Sequence, residues 1–259
     1  DLGERHAFGA MEVAALFGPE HGYGGEAQDM VGVEGAKDAD GTPIHSLYGA
    51  SFGDLSPTPA QLQNLDVIVV DLQDVGSRYY TFIWTAVLVM QAASSLGIPT
   101  VILDRPNPLG GNSLEGAPQR RGFRSFVGLH DVPVRHGMTI GEIADFARAE
   151  LGIDEKLLKV VCMNGWSRRM HFEDTRLPWV WPSPNMPTLD TVRVYPGGCL
   201  IEGTNLSEGR GTTRPFEVFG APFVDGRALS ELVLDGAVLR PLTFHPMFHK
   251  HAQDRKSVV

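Results

Sequence analysis

The residues best equipped for chemistry fall in short polar runs directly behind apolar ones. Phe17-Gly-Pro-Glu20-His21-Gly22 follows one apolar run, Asp71-Leu-Gln-Asp74-Val-Gly-Ser-Arg78-Tyr79 a second, and Asp104-Arg105-Pro-Asn107 a third. Glu20 sits between a rigid Pro-containing turn and a permissive Gly, which suits a carboxyl held at a fixed angle. Such a group can act as general acid or base when burial raises its pKa. It can equally cap a helix or pair with an arginine, and His21 can be a catalytic partner or a packed turn histidine. Asp71 and Asp74 suit a cation or a helix cap, but no third and fourth ligand stands at recognisable spacing. Arg78 and Arg105 carry planar donor forks for an anion or for those same aspartates. His136, in Val134-Arg-His-Gly-Met-Thr139, precedes a helix and fits either an anion site or packing.

Further along, Pro182-Ser-Pro-Asn185-Met-Pro-Thr188 and Glu202-Gly-Thr-Asn205-Leu-Ser-Glu208-Gly-Arg210-Gly-Thr-Thr213 gather amides, hydroxyls and backbone-exposing glycines, the equipment for holding a polar ligand such as a sugar. Trp179 and Trp181 offer flat apolar surface to a sugar ring, or to the core. No G-x-x-x-x-G-K-[ST] loop and no G-x-G-x-x-G after a strand occurs, which argues against nucleotide and dinucleotide binding. No G-x-S-x-G elbow points to a serine hydrolase. Cys162 and Cys199 lack the spacing of a zinc site or a disulfide framework.

The elements that must position these residues follow from apolar patterning. Val13 to Phe17, Val67 to Val70, Val101 to Leu103 and Leu158 to Met163 read as strands covered on both faces of a parallel sheet. Arg78 to Leu96 reads as a helix closed by Gly97, and Thr139 with Glu142 as a capping box opening a helix through Leu151. Alternation of this kind predicts an α/β fold with right-handed crossovers, whose ligands bind beyond the carboxyl ends of the strands. The stretch from about Gly165 to Gly211 shows little periodicity and reads as functional loops. Asp225 to Leu234 reads as a helix and Leu242 to His245 as the start of a strand.

The 259 residues, 42% hydrophobic and 20% charged, are enough for one large or two modest domains and unlike a disordered chain. A net charge of −9 gives no support to nucleic-acid binding, and no apolar run reaches membrane-spanning length. The domains expected are a catalytic domain over 1–195, entered without its first strand, and the start of a smaller C-terminal α/β subdomain over 196–253. Residues 254–259 lack periodicity, match the translation of a common sequencing adapter, and read as a tail foreign to the fold.

The six runs around Glu20, Asp71 to Thr81, Leu103 to Gly111, Val134 to Thr139, Pro182 to Thr188 and Glu202 to Thr213 resemble the signature runs of the exo-β-N-acetylmuramidases of the NamZ type, long labelled a domain of unknown function. The resemblance runs from about Ala14 to His249, and members are longer at both ends. It implies a Rossmann-like parallel-sheet domain with a smaller C-terminal subdomain and an active site in the cleft between them. The implied activity is release of terminal, non-reducing, β-linked N-acetylmuramic acid from peptidoglycan fragments, in the periplasm or outside a bacterial cell, without metal or organic cofactor. Glu20 is then the catalytic acid/base, with His21 beside it. Glu208, Glu202, Asp71 or the substrate's own acetamido group is the second participant. Asp71, Arg78, Tyr79, Arg105, His136, Asn185, Asn205 and Arg210 are expected to bind substrate, with one arginine taking the lactyl carboxylate. Two other readings are a non-catalytic cell-wall glycan binder, and an amidase or esterase using Ser207 or Cys199 with His136.

Overall fold

The structure is a computed structural model, and it describes residues 11–28, 31–32, 34–120 and 122–246. The expected tail at 254–259 lies outside them. The chain divides after Pro184 into two compact units.

The first unit holds two three-stranded sheets. In one, β3 (Pro43–Ser46) lies between β1 (Leu16–Gly18), its parallel neighbour, and the two-residue antiparallel β2 (Ala36–Lys37). A one-turn helix α1 (Pro59–Leu62), opened by a Thr58–Gln61 capping box, leads to the second sheet. That sheet is wholly parallel, with β5 (Thr100–Leu103) between β4 (Ile68–Val70) and β6 (Leu158–Val161). Helix α2 (Phe82–Ser95) connects β4 to β5, and α3 (Ile140–Leu151) precedes β6. The result is the expected α/β class with parallel βαβ crossovers.

The core lies between this sheet and its two helices. Every residue from Phe82 to Met90 is buried, so α2 is covered all round rather than presenting one apolar stripe. Helix α3 is amphipathic, with Ile140, Ile143, Ala144 and Ala147 inward; the Thr139–Glu142 capping box opens it and Gly152, at φ 66°, closes it. Ile68, Val70 and Ile102 meet these helices, and the burial of β4 then alternates: Val69 is 56% exposed. The expectation of cover on both faces is corrected here. Val161, on β6, is also exposed, and a pleated strand presents its apolar residues to both sides whatever covers them.

Other boundaries also shift. The first strand starts at Leu16 rather than Val13. Helix α2 starts at Phe82 rather than Arg78, because Gly76 turns the chain at φ 78° and the Arg78 amide donates to Val134 O at 2.8 Å, outside any helix. The supposed loop region contains α4 (Leu189–Gly198), capped by Thr188. In the second unit, α5 (Gly226–Ser230) is shorter than expected, and Val233 beyond it is 98% exposed. Leu242 to His245 forms no ladder with any described residue, and a strand exists only through its neighbour.

Candidate functional site

Glu20 stands two residues beyond β1 on a tight turn closed by Gly22 N–H donating to Pro19 O at 3.0 Å. The turn holds His21 at φ 75°, a left-handed conformation that costs a non-glycine residue about 1–2 kcal/mol and concentrates at functional sites. Two bonds hold it there: the His21 carbonyl accepts from Ala27 N–H at 3.0 Å, and Nδ1 meets Ala27 O at 2.8 Å. A carbonyl can only accept, so Nδ1 carries a proton. Gly18 is required by close approach, since a Cβ there would meet Tyr23 N at 2.6 Å.

Both Glu20 and His21 are buried. Glu20 Oε2 accepts from Thr81 Oγ1 at 2.8 Å, which ties the β1 turn to the start of α2. The His21 ring stacks on Tyr80, with centroids 6.4 Å apart, and Tyr80 packs in turn on Phe82 at 4.9 Å. Burial pushes the Tyr80 phenol well above its ordinary pKa, opposed by the influence of Ser183; the Glu20 and Asp74 carboxylates add to the rise. Tyr80 is therefore a protonated phenol whose pKa two carboxylates help to raise.

Asp74 stands on the loop that follows β4 and is buried. Its Oδ2 accepts from Gly76 N–H at 2.7 Å and lies 3.2 Å from His136 Nε2. His136 Nδ1 accepts from Met138 N–H at 3.2 Å, which leaves the imidazole proton on Nε2. His136 is fully buried, in the Asp74 pair rather than at an open anion site.

The remaining expected residues of this unit are arranged differently. Asp71 and Arg105 pair at 2.5 Å, both about half exposed. They line an open depression of about 470 Å³ at the carboxyl ends of β4, β5 and β6, with Asp104, Asn164 and Trp166, where an open α/β sheet places ligands. Asp104 is fixed by α3: Oδ1 accepts from Gly141 N–H and Oδ2 from Thr139 Oγ1, while burial raises its pKa. Arg78 is spent on main chain, donating from Nη1 to Ala117 O and Val132 O, and lies over the Tyr79 ring at 5.7 Å.

In the second unit Asn185 is buried and Asn205 exposed. Arg210 is buried between two carboxylates, Nε at 2.8 Å from Glu208 and Nη2 at 3.0 Å from Glu202, and its guanidinium lies 5.0 Å over Phe216. The Glu208 carboxylate is thus engaged by an arginine, and its main-chain carbonyl accepts from Phe216 N–H.

Tyr80, Thr81 and Ser183 were absent from the expected site. Tyr80 and Thr81 follow Arg78-Tyr79 immediately, and Thr is a common helix cap, so local pattern assigned them to the helix rather than to Glu20. Among the described residues no three His, Cys, Asp or Glu side chains are grouped to hold a metal ion, and no helix is long and apolar enough to cross a membrane.

Sequence comparison adds the relationship that this geometry lacks. The chain is 51% identical over 247 residues to the peptidoglycan β-N-acetylmuramidase NamZ of Bacillus subtilis strain 168, covering 93% of this chain and 58% of that protein. A crystal structure of a DUF1343 family protein from Bacteroides fragilis NCTC 9343 superimposes with a TM-score of 0.80 at 37% identity, over 91% of this chain and 60% of that one. A second such protein from the same strain gives 0.69 at 36%, over 83% and 56%. The chain therefore spans somewhat under two thirds of each of these relatives. Models of the exo-β-N-acetylmuramidase NamZ N-terminal and C-terminal regions match residues 4–190 and 193–258, and the chain belongs to that family.

Proposed function

We propose that the protein is an exo-acting glycoside hydrolase that releases terminal β-linked N-acetylmuramic acid from the non-reducing end of peptidoglycan fragments. The observation that carries this reading is Glu20: a buried carboxyl on a strained turn, oriented by Thr81 Oγ1, in a chain half identical to a named peptidoglycan β-N-acetylmuramidase. Glycoside hydrolysis needs a carboxylic acid to protonate the leaving oxygen as positive charge develops at the anomeric carbon. Glu20 supplies that proton. His21 acts through its neighbour, since Nδ1 is committed to Ala27 O and its ring packs on Tyr80.

Muramic acid differs from glucosamine by an anionic lactyl ether, and a planar guanidinium suits its carboxylate. Arg105 is the best placed of the three candidates. Arg78 is committed to two carbonyls and Arg210 to two carboxylates, whereas Arg105 is paired through Nε alone and its side chain is 41% exposed. The substrate is a cell-wall fragment, and the reading puts the protein in the periplasm or outside the cell, in cell-wall recycling.

The experiment is release of nitrophenol from nitrophenyl β-N-acetylmuramide beside the matching glucosaminide. The expected result is turnover of the muramide, reduced by about 10²–10⁴ in Glu20→Gln with the fold intact. Muramide binding without turnover would overturn the enzyme reading in favour of a glycan-binding protein. Turnover undiminished in Glu20→Gln would overturn the assignment of Glu20.

A further inference from the structure

The Asp74 carboxylate is 4% exposed, and His136 is its only ion-pair partner among the described residues. One oxygen, Oδ2, is engaged by the Gly76 amide and lies 3.2 Å from His136 Nε2. The other, Oδ1, is buried with no hydrogen-bond partner among the described residues. Buried carboxylate oxygens are normally satisfied, and an exception in a native structure calls for an explanation, a catalytic role among them. Asp74 and Glu20 both help to raise the pKa of the buried Tyr80 phenol, and Thr81, seven residues after Asp74, bonds Glu20 directly.

We propose that Asp74, held by the Gly76 amide beside His136, is the second carboxylate of the Glu20 site and accepts the N–H of the substrate's 2-acetamido group through Oδ1. The inference rests on the muramidase reading above, and the choice of donor follows from the sugar. On N-acetylmuramic acid the C3 oxygen is an ether and the lactyl group an anion, so neither donates to a carboxylate. The acetamido N–H, on the carbon next to the reacting centre, is the donor nearest the bond that Glu20 protonates.

The chemistry then balances without a protein nucleophile. Glu20 gives its proton to the leaving oxygen as the C1–O bond breaks, and the acetamido carbonyl oxygen bonds to C1. The positive charge on the resulting five-membered ring is shared with its N–H, which Asp74 holds. Water next adds to C1 and passes a proton to Glu20. The ring's C1–O bond opens, and the sugar leaves with its β configuration retained.

The test compares wild type, Glu20→Gln, Asp74→Asn and Asp74→Glu on nitrophenyl β-N-acetylmuramide, together with the anomer first released. It also measures affinity for the muramyl thiazoline, a stable mimic of the ring intermediate, against affinity for N-acetylmuramic acid. Asp74→Asn is expected to lower kcat by about 10² or more, and to weaken thiazoline binding by a similar factor while binding of the free sugar changes only a few-fold. Asp74→Glu is expected to recover part of the rate. Equal thiazoline affinity in wild type and Asp74→Asn, or first release of the α anomer by wild type, overturns the proposal. If Asp74→Asn does not fold, the wild-type anomer and the wild-type preference for thiazoline over free sugar decide. Wild type that turns over the muramide, loses it in Glu20→Gln and keeps it in Asp74→Asn removes this proposal alone. Wild type that turns over neither sugar removes the muramidase reading itself.

Discussion

Thr81 stands at the N-cap of α2, yet its hydroxyl makes no capping bond and instead donates to Glu20 Oε2 at 2.8 Å, across 61 residues of sequence. A threonine at this position ordinarily satisfies one of the helix's free N–H groups. Here the first turn is served by its main chain alone, the Thr81 carbonyl accepting from Thr85 N–H at 2.8 Å and from the Thr85 hydroxyl at 3.2 Å. Helix stability is given up to hold a carboxyl in place.

Thr81→Val keeps the shape and removes the donor. The expected loss is about 1–3 kcal/mol of stability, because the buried carboxyl of Glu20 keeps its burial and loses the Thr81 hydrogen bond. Muramide turnover should fall at least as steeply as stability, with the larger effect on kcat, since the carboxyl loses its orientation. Denaturant unfolding beside steady-state kinetics checks both. Unchanged kcat would show that Glu20 is oriented by something other than Thr81.

Arg78 yields a contrasting expectation. Its guanidinium donates at 2.6 Å to Val132 O and at 3.0 Å to Ala117 O, and Trp84 Nε1 donates to its own carbonyl at 2.8 Å. It is a brace between loops. Arg78→Ala should lower stability by about 1–3 kcal/mol through the carbonyls left without donors, and Arg78→Lys should recover only part, because an ammonium lacks the planar fork. Arg105→Ala, whose side chain is half exposed, should leave the unfolding midpoint nearly unchanged and raise KM for the muramide more than for the glucosaminide. The reverse pattern in the two variants would exchange their roles.

Much of the framework was legible because local signals agreed with one another. Helix α3 combines a Thr139–Glu142 box, apolar residues at Ile140, Ile143, Ala144 and Ala147, and a terminal Gly152, so propensity, periodicity and capping all name the same boundaries. Three parallel strands announced themselves as β-branched apolar runs. What pattern could not convey was how each polar residue is spent. Asp71 and Asp74 look alike in sequence, yet one pairs with Arg105 in the open and the other is buried against His136. Arg78 and Arg105 look alike as donor forks, yet main-chain carbonyls far along the chain claim the first. Helix α4 was missed because Pro196 and two glycines in its last turn hide a stretch that Thr188 caps normally.

Asp104 predicts a pH dependence of stability. Burial is the main cause raising its pKa above the ordinary 3.8, outweighing the bonds from Gly141, Thr139 and Arg105. The folded state therefore holds this proton more tightly than the unfolded chain. Between 3.8 and the raised value the folded protein binds more protons, so Asp104's contribution to stability falls as pH rises through that window and is flat above it. Asp104→Asn should remove that segment of the profile, and denaturant midpoints taken in steps from pH 3.5 to about 7 would show it. A difference profile between wild type and variant that rises with pH would contradict the burial-dominated shift.

Ser77 tests whether the loop that holds Asp74 carries polar atoms that serve something other than folding. Its Oγ is fully buried and makes no hydrogen bond among the described residues. A buried hydroxyl with no partner costs rather than contributes, so Ser77→Ala should leave stability unchanged or raise it by up to about 1 kcal/mol. A loss of stability well beyond the cavity of one oxygen atom would mean that the hydroxyl is satisfied in solution. If the variant is as stable as wild type and its muramide KM rises, the hydroxyl meets substrate beside Asp74; if KM is unchanged, its place in the loop is steric alone.

The buried charges of the second unit give the largest expected effect. Arg210 neutralises Glu208 and Glu202 together, with both carboxylates about nine-tenths buried or more. Breaking such a group by removing the shared cation costs about 3–5 kcal/mol, because two buried negative charges are left facing each other. Arg210→Met keeps much of the packing against Phe216 and should still be severely destabilised. Glu208→Gln leaves Arg210 paired with Glu202 and should be milder, and the difference between the two variants is the measurement. A Glu208→Gln variant that folds normally but loses turnover would place that carboxylate in the chemistry as well as in the ion pair. One that folds and keeps its turnover would confine Glu208 to holding Arg210, leaving Glu20 to act with a partner from its own unit.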